Sequence, residues 1–219
     1  MLASPALLAF DTSTGPCSVA VWKGGKVASF LKTDVPVMQS ARLVPMIEQA
    51  LKESHTDYKH LTAIAATVGP GSFTGIRVGL AAARGICFAA GLKGIGLTTL
   101  ETIAFGAHKE ALGTPILVIL NAGKGEFYLQ GFAVKPSWQP LFEPRVGSLE
   151  SAVSLMQTDF VTAGNATIQG HKALSVTCPQ ADALAELATL QHDPVAALKP
   201  FYIRPPDATP LVKKPETLL

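Results

Sequence analysis

The sequence predicts an α/β protein of two related lobes, the first a mixed five-stranded sheet flanked by helices and the second a reduced version of it. Three observations carry this expectation. An apolar run, "ALLAFD", leads into two alternating segments, "CSVAVWK" and "KVASFLKT", separated by Gly24-Gly25, a two-residue hairpin signal. Helix and strand signals then alternate as far as residue 112, giving the order β-β-β-α-β-α-β-α that suits a ribonuclease-H-like lobe. Near residue 115 the pattern begins again: "LNAGKGEFYLQGF" repeats the apolar residue, Asx, small turn and strand of "FDTSTGPCSVAVW", and duplication is the economical explanation.

Taken in order, the opening three segments form an antiparallel set of strands. Over residues 40–55 the apolar positions Leu43, Val44, Met46, Ile47, Ala50 and Leu51 fall in one sector at helical spacing. Arg42, Glu48, Gln49, Lys52 and Glu53 fill the other side, and Pro45 is expected to bend this helix near its first turns. "LTAIAATV" reads as a fully buried strand, because it is apolar without alternation. The glycine-rich stretch "VGPGSFTGIRVGLAAARG" then opens a helix over 74–90, "KGIGLTTL" is a fifth strand, and "ETIAFGAHKEAL" a third helix. Beyond residue 135 the signals thin out, apart from "DFVTAGNATIQG" and a short helix over 182–191. The expected division is therefore 1–112 for the first lobe, 113–204 for the second, and 205–219 for a proline-rich tail.

Composition limits what the chain can do. Charged residues make up 16% of the 219, against about 25% in ordinary soluble domains, so an apolar patch that needs a partner is expected. The formal net charge is +2 and the longest basic run is Lys213-Lys214, which argues against direct electrostatic capture of nucleic acid. Cys17, Cys87 and Cys178 are too widely spaced for a zinc signature and odd in number for a disulfide framework. The first residues lack a basic n-region and Asp11 interrupts the apolar run early, while no apolar run approaches a membrane span. A cytoplasmic location without membrane attachment is the expectation.

The glycine-rich stretch resembles a phosphate loop until its spacing is counted. A P-loop needs G-x-x-x-x-G-K-[ST], but the residue five after Gly69 is Thr74 and no lysine follows. The dinucleotide pattern G-x-G-x-x-G also stops at Thr74, and Pro70 removes the G-x-S-x-G reading of Ser72. Two readings stay open: backbone N–H groups at the helix start holding an anion, or a tight turn needed for packing. Asp11 is equally divided between a phosphate-site aspartate and a turn cap. The carboxylates that two-metal chemistry would need do not accompany it, and Asn121 stands where the repeat would place an acid. No H-x-x-x-H pair or nucleophile–base pattern supports a peptidase. On the second helix, Gly75, Gly79, Ala82 and Ala83 make a small-residue face. Arg77, Ala81, Arg84 and Phe88 lie opposite with Leu80 at the border, either a solvated arginine face or a protein interface.

"LLAFDTSTGPCSVAVW", "QSARLVPMI", "VGPGSFTGIRVGLAAARGICFA", "GIGLTTLE" and "NAGKGEFY" occur in the order and spacing of the TsaB (YeaZ) family, with "GNA" and "FYIRPPDA" similar to its closing segments. That resemblance covers residues 6–130 well. It implies a two-lobed actin-like ATPase fold without a working catalytic site, in a scaffold subunit of tRNA threonylcarbamoyladenosine modification. The implied partners are a TsaD-type threonylcarbamoyltransferase, a TsaE-type ATPase and, for the chain alone, a homodimer. Contact with tRNA comes only through the complex, and ATP or ADP has a place only in that complex. Pairing through the first two helices puts Leu43, Ile47, Gly75, Arg77, Gly79, Leu80, Ala83, Arg84 and Phe88 at the interface. A vestigial phosphate site would be formed by Asp11, Ser13, Gly71 and Ser72. The alternative is an ATP-dependent kinase or ATPase of the same fold using Asp11 and the glycine loop. Two positions depart from many relatives, Gln39 in place of histidine and Asn121-Ala122-Gly123 in place of "DAR", and both weigh against nucleotide binding.

Overall fold

In a computed structural model, which describes residues 6–33, 39–190 and 198–204, the first apolar run is strand β1 (Ala6–Asp11). It is buried throughout because it has a strand on each side and helices over both faces. β2 (Ser18–Lys23) and β3 (Lys26–Lys32) form a hairpin whose turn holds Gly24 and Gly25 at φ of 61° and 79°, the left-handed region that a two-residue primed turn requires. After helix α1 (Gln39–Glu53), strand β4 (Leu61–Thr67) joins β1 in parallel. Helix α2 (Phe73–Ala90) carries the chain to β5 (Lys93–Leu97), also parallel. The order β3-β2-β1-β4-β5, antiparallel in one half and parallel in the other, is that of a ribonuclease-H-like lobe.

Helix α3 (Thr99–Ala107) leads to the second sheet, built from β6 (Ile116–Gly123), β7 (Glu126–Ala133), β8 (Gln139–Pro140), β9 (Arg145–Gly147) and β10 (Val161–Gly164). Its order is β10-β6-β7-β8, with β9 also paired to β7. The β6–β7 hairpin turns through Lys124 and Gly125 at positive φ, much as the first hairpin does. Between β9 and β10 lies α4 (Leu149–Leu155), and α5 (Ala181–Leu190) follows β10. The region after residue 135 thus contains β8, β9 and α4, where sequence periodicity gave no element. Two or three residues, or a single seven-residue helix, are too short to display a period.

Alternation along β1 divides the first core. Leu8 and Phe10 point to α1 and α2, where they meet Leu43, Ile47, Ile76 and Leu80. Leu7 and Ala9 point the other way, to Leu184, Ala185 and Leu187 of α5. β6 divides likewise: Val118 and Leu120 pack with Leu100 and Ile103 of α3, and Leu117 and Ile119 with Ala152 and Met156 beside α4. The sequence assigned residues 113–204 to the second lobe as one piece, but packing sends two parts of it back. α5 lies on the first sheet, where Ala9, Ala20, Ala63 and Ala65 leave room for close approach, and Leu198 and Phe201 join the α1–α2 core. Helices α3 and α5 also pack on each other, so the two sheets are joined by a shared layer.

α2 has the eighteen residues and apolar character that length and composition alone require to cross a membrane, which the expectation of no such run did not foresee. Five alanines and the buried Ile76 and Leu80 supply much of that character. One side is core, with Ile76, Leu80 and Ala83 buried, and the other carries Arg77 and Arg84.

Candidate functional site

A cleft of about 420 Å³ lies between the lobes. The turn after β1 (Ser13, Thr14, Gly15) and the start of α2 (Gly71, Ser72) form one wall. The end of β6 (Asn121, Ala122, Gly123), with Tyr128 and Asn165, forms the other. The second wall is held by side-chain amides: Asn121 N–H donates to Asn165 Oδ1 at 2.8 Å, and Gly123 N–H to Asn121 Oδ1 at 2.7 Å. Hydroxyls, amides and backbone line the space, with neither a carboxylate nor a cationic side chain among the lining residues.

Asp11 sits behind the first wall, fully buried, and does not line the cleft. Its Oδ1 accepts from Ser13 N–H at 3.0 Å, Ser13 Oγ at 2.6 Å and Thr67 Oγ1 at 2.5 Å, while Oδ2 has no partner among the described residues. Thr99 Oγ1 donates to Ser13 Oγ at 3.0 Å, tying the start of α3 to the same cluster. Burial raises the Asp11 carboxyl from 3.8 to about 6, against the lowering effect of its hydrogen bonds. A carboxyl raised on folding holds its proton longer in the native state, so its contribution to stability is fully present below pH 4 and is lost as pH rises through 6. Asp11→Asn keeps an acceptor at Oδ1 and removes the buried charge. Urea denaturation should therefore show Asn gaining on wild type by up to about 3 kcal/mol between pH 4 and pH 7. Parallel stability curves across that range would contradict the assignment.

The four phosphate-site candidates have other duties. Ser13 N–H and Oγ are committed to Asp11, and Ser72 N–H donates to the Ser13 carbonyl at 2.6 Å. Ser72 Oγ caps α2 by accepting from Gly75 N–H at 3.2 Å. A Cβ on Gly71 would stand 2.2 Å from the Ser13 carbonyl oxygen. The structure brings Ser13, Gly71 and Ser72 together, but their contacts stitch the start of α2 to the turn after β1. Among the described residues no group of three or more His, Cys, Asp or Glu is placed to hold a metal.

The nine interface candidates separate into two sets. Leu43, Ile47, Gly75, Gly79, Leu80 and Ala83 are buried inside the chain, because the apolar sector of each helix faces its own sheet and the neighbouring helix. That part of the expected interface is corrected: a helical wheel finds an apolar sector but not what covers it. The close approach allowed by Gly79 is to Thr12, whose Oγ1 would lie 2.5 Å from an added Cβ and donates to the Gly75 carbonyl at 2.7 Å. Gly79→Ala should cost about 1–3 kcal/mol in denaturant melts, as overpacking does. A change within experimental error would mean that Thr12 can move aside.

Arg77, Arg84 and Phe88 do reach the surface, and Phe88 is 93% exposed. Val44 of α1 at 54% and Phe73 at 44% are exposed as well, and neither is among the nine interface candidates. Val44 was readable as an edge of the α1 sector, and Phe73 shares the 77/84/88 side of α2 at helical spacing. The arginines are anchored: Arg77 lies over the Phe73 ring at 3.7 Å, and Arg84 Nε donates to the Leu198 carbonyl at 2.7 Å. Gln39 begins α1, and its side chain lies outside what is described.

Two ribonuclease-H-like sheets, joined through a helical layer and facing each other across a cleft between corresponding hairpins, define the actin-like ATPase class of fold. The profile of the family described as "TsaD: tRNA N6-adenosine threonylcarbamoyltransferase" matches residues 38–199. The chain is 39% identical over 122 residues to the tRNA threonylcarbamoyladenosine biosynthesis protein TsaB of Escherichia coli, covering 56% of this chain and 52% of that protein. With the TsaB of Haemophilus influenzae it shares 29% identity over 224 residues, covering 90% of this chain and 93% of the relative. A solved structure from Pseudomonas aeruginosa, described as an uncharacterized protein with similarity to peptidase YEAZ, superposes with a TM-score of 0.81 at 26% identity. That superposition covers 91% of this chain and all of the other. The chain belongs to the TsaB/YeaZ family of tRNA threonylcarbamoyladenosine biosynthesis proteins.

Proposed function

We propose that this chain is a non-catalytic scaffold subunit of tRNA threonylcarbamoyladenosine modification, which docks a TsaD-type threonylcarbamoyltransferase on the outer faces of α1 and α2. The observation that carries the reading is the exposed run on those helices. Phe88, Val44 and Phe73 are 93%, 54% and 44% exposed, with Arg77 and Arg84 beside them on α2. Aromatic residues and arginine are the side chains most enriched at protein interfaces, and a monomer gains nothing from an almost bare phenylalanine. The cleft supports the same reading from the other side. It offers hydroxyls and amides, while Asp11, the carboxylate nearest in sequence to its first wall, is buried behind that wall.

In this reading the chain pairs with itself when alone, a TsaE-type ATPase joins the assembled pair, and tRNA and any nucleotide are held by the complex. The test is co-purification with the cognate TsaD-type subunit, followed by a tRNA modification assay with and without this chain. The expected result is a stable pair, with modification by the TsaD-type subunit falling to background when the chain is withheld. Full modification without the chain would overturn the proposal, as would turnover of Mg-ATP by the chain alone that Asp11→Ala abolishes.

A further inference from the structure

We infer that residues 198–204 form a strap that couples the outer face of α2 to the second-lobe wall of the cleft. The segment is held at successive points along its length. At its start the Leu198 carbonyl accepts from both Nε and Nη2 of Arg84, and the Leu198 side chain fills the space over Gly94, where a Cβ would come within 2.4 Å of it. Further on, Phe201 N–H donates to the Val68 carbonyl at 2.7 Å, and the Phe201 carbonyl closes over Gly69, 2.6 Å from where a Cβ would stand. The Tyr202 ring then stacks on Phe73 with centroids 5.9 Å apart, and its hydroxyl accepts from Arg77 Nε at 3.4 Å. At the far end Ile203 packs into the second-lobe core, and Arg204 pairs with Glu126, the first residue of β7.

One end of this short segment therefore grips α2 and the other grips the hairpin whose residues 121–123 line the cleft. Its middle is bonded to the loop that leads from β4 into α2. Phe73, Arg77 and Arg84 serve twice, as part of the exposed stripe and as anchors of the strap, so whatever seats on the stripe also loads the strap. The strap stands on intramolecular contacts alone. Only its consequence for docking rests on the scaffold reading.

Hydrogen–deuterium exchange on the full chain, without any partner, tests the coupling. Arg84→Met removes a doubly bonded guanidinium and should speed exchange at the Phe201 amide about tenfold or more, the size of a lost charge-assisted hydrogen bond. The same variant should speed exchange at the Asn121 and Gly123 amides of the opposite lobe, and Arg84→Lys should fall between. From the other end, Arg204→Gln should raise exchange at Phe201 by about two- to fivefold, as loss of a partly exposed ion pair allows. Acceleration confined to residues 198–201 in Arg84→Met would overturn the proposal. So would an unchanged Phe201 amide in Arg204→Gln, which decides the matter alone if the Arg84 variant does not fold. Because no TsaD-type subunit is present and every contact of the strap lies within one chain, a failure here is distinct from a failure of the scaffold reading.

Discussion

Replacing Gly71 by alanine is expected to destabilise the fold by about 3 kcal/mol or more, enough to lower the unfolding midpoint of a chain this size by roughly 10 °C. The added Cβ would stand 2.2 Å from the Ser13 carbonyl oxygen and 3.0 Å from the carbonyl carbon. Backbone cannot rotate out of the way as a side-chain tip can, so the two loops must separate. Separation breaks the 2.6 Å bond from Ser72 N–H to that same carbonyl and pulls on Ser13, whose N–H and hydroxyl both serve Asp11. A buried carboxylate that loses such bonds is left with an uncompensated desolvation cost. Calorimetry of Gly71→Ala beside Gly85→Ala measures the effect, because Gly85 lies on the exposed side of α2 with nothing within 4 Å of an added Cβ. Gly85→Ala should be neutral or mildly stabilising, since alanine is the better helix former. Equal midpoints for the two variants would show that the start of α2 is not stitched to the turn after β1.

The second large effect concerns association. Phe88→Asp should weaken binding to the TsaD-type subunit by about 2 kcal/mol or more, roughly 30-fold, while leaving the unfolding midpoint within a degree or two of wild type. The asymmetry follows from exposure. A side chain that is 93% exposed contributes almost nothing to the chain's own core, so a charge there costs stability little. Under a docked partner the same carboxylate would be stripped of water, and the guanidinium one turn away, Arg84, is already held by the Leu198 carbonyl. Leu80→Asp, about two turns earlier on the same helix but buried, should unfold the chain instead.

Much of the first lobe is legible in the sequence because its elements are long enough to show a period. β1 reads as buried on both faces, Gly24-Gly25 announces a hairpin, and the spacing of Leu43, Ile47, Ala50 and Leu51 announces α1. α4 is marked only by Ser148, whose hydroxyl accepts from Ser151 N–H at 3.3 Å as the helix cap, ahead of Glu150 in the first turn. What periodicity cannot carry is the destination of an element. α5 is an ordinary amphipathic helix in sequence, and only the alanine-rich reverse of the first sheet explains why it returns there.

The candidate site was legible in the same unequal way. Counting residues removes the standard phosphate-loop patterns from "VGPGSFTGIRVGLAAARG", and the structure supplies what the glycines do instead, at Gly69, Gly71 and Gly79. The apolar sectors of α1 and α2 suggest a partner, yet Leu43, Ile47 and Leu80 meet their own sheet, and what is left exposed is the narrower strip around Phe88. Arg84 looked unattached because it has no carboxylate one turn away. Its acceptor, the Leu198 carbonyl, lies 114 residues further along the chain, beyond the reach of any local pattern.

We propose that the outer face of α2 docks a TsaD-type subunit. Sedimentation velocity of the chain titrated with that subunit tests it most directly, with Phe88→Asp as the paired sample. The wild-type chain should move into a heavier complex as the subunit is added, and the variant should stay at its free position with an unchanged melting profile. A wild-type chain that sediments as a monomer at every ratio, or a variant that enters the complex as readily as wild type, would contradict it.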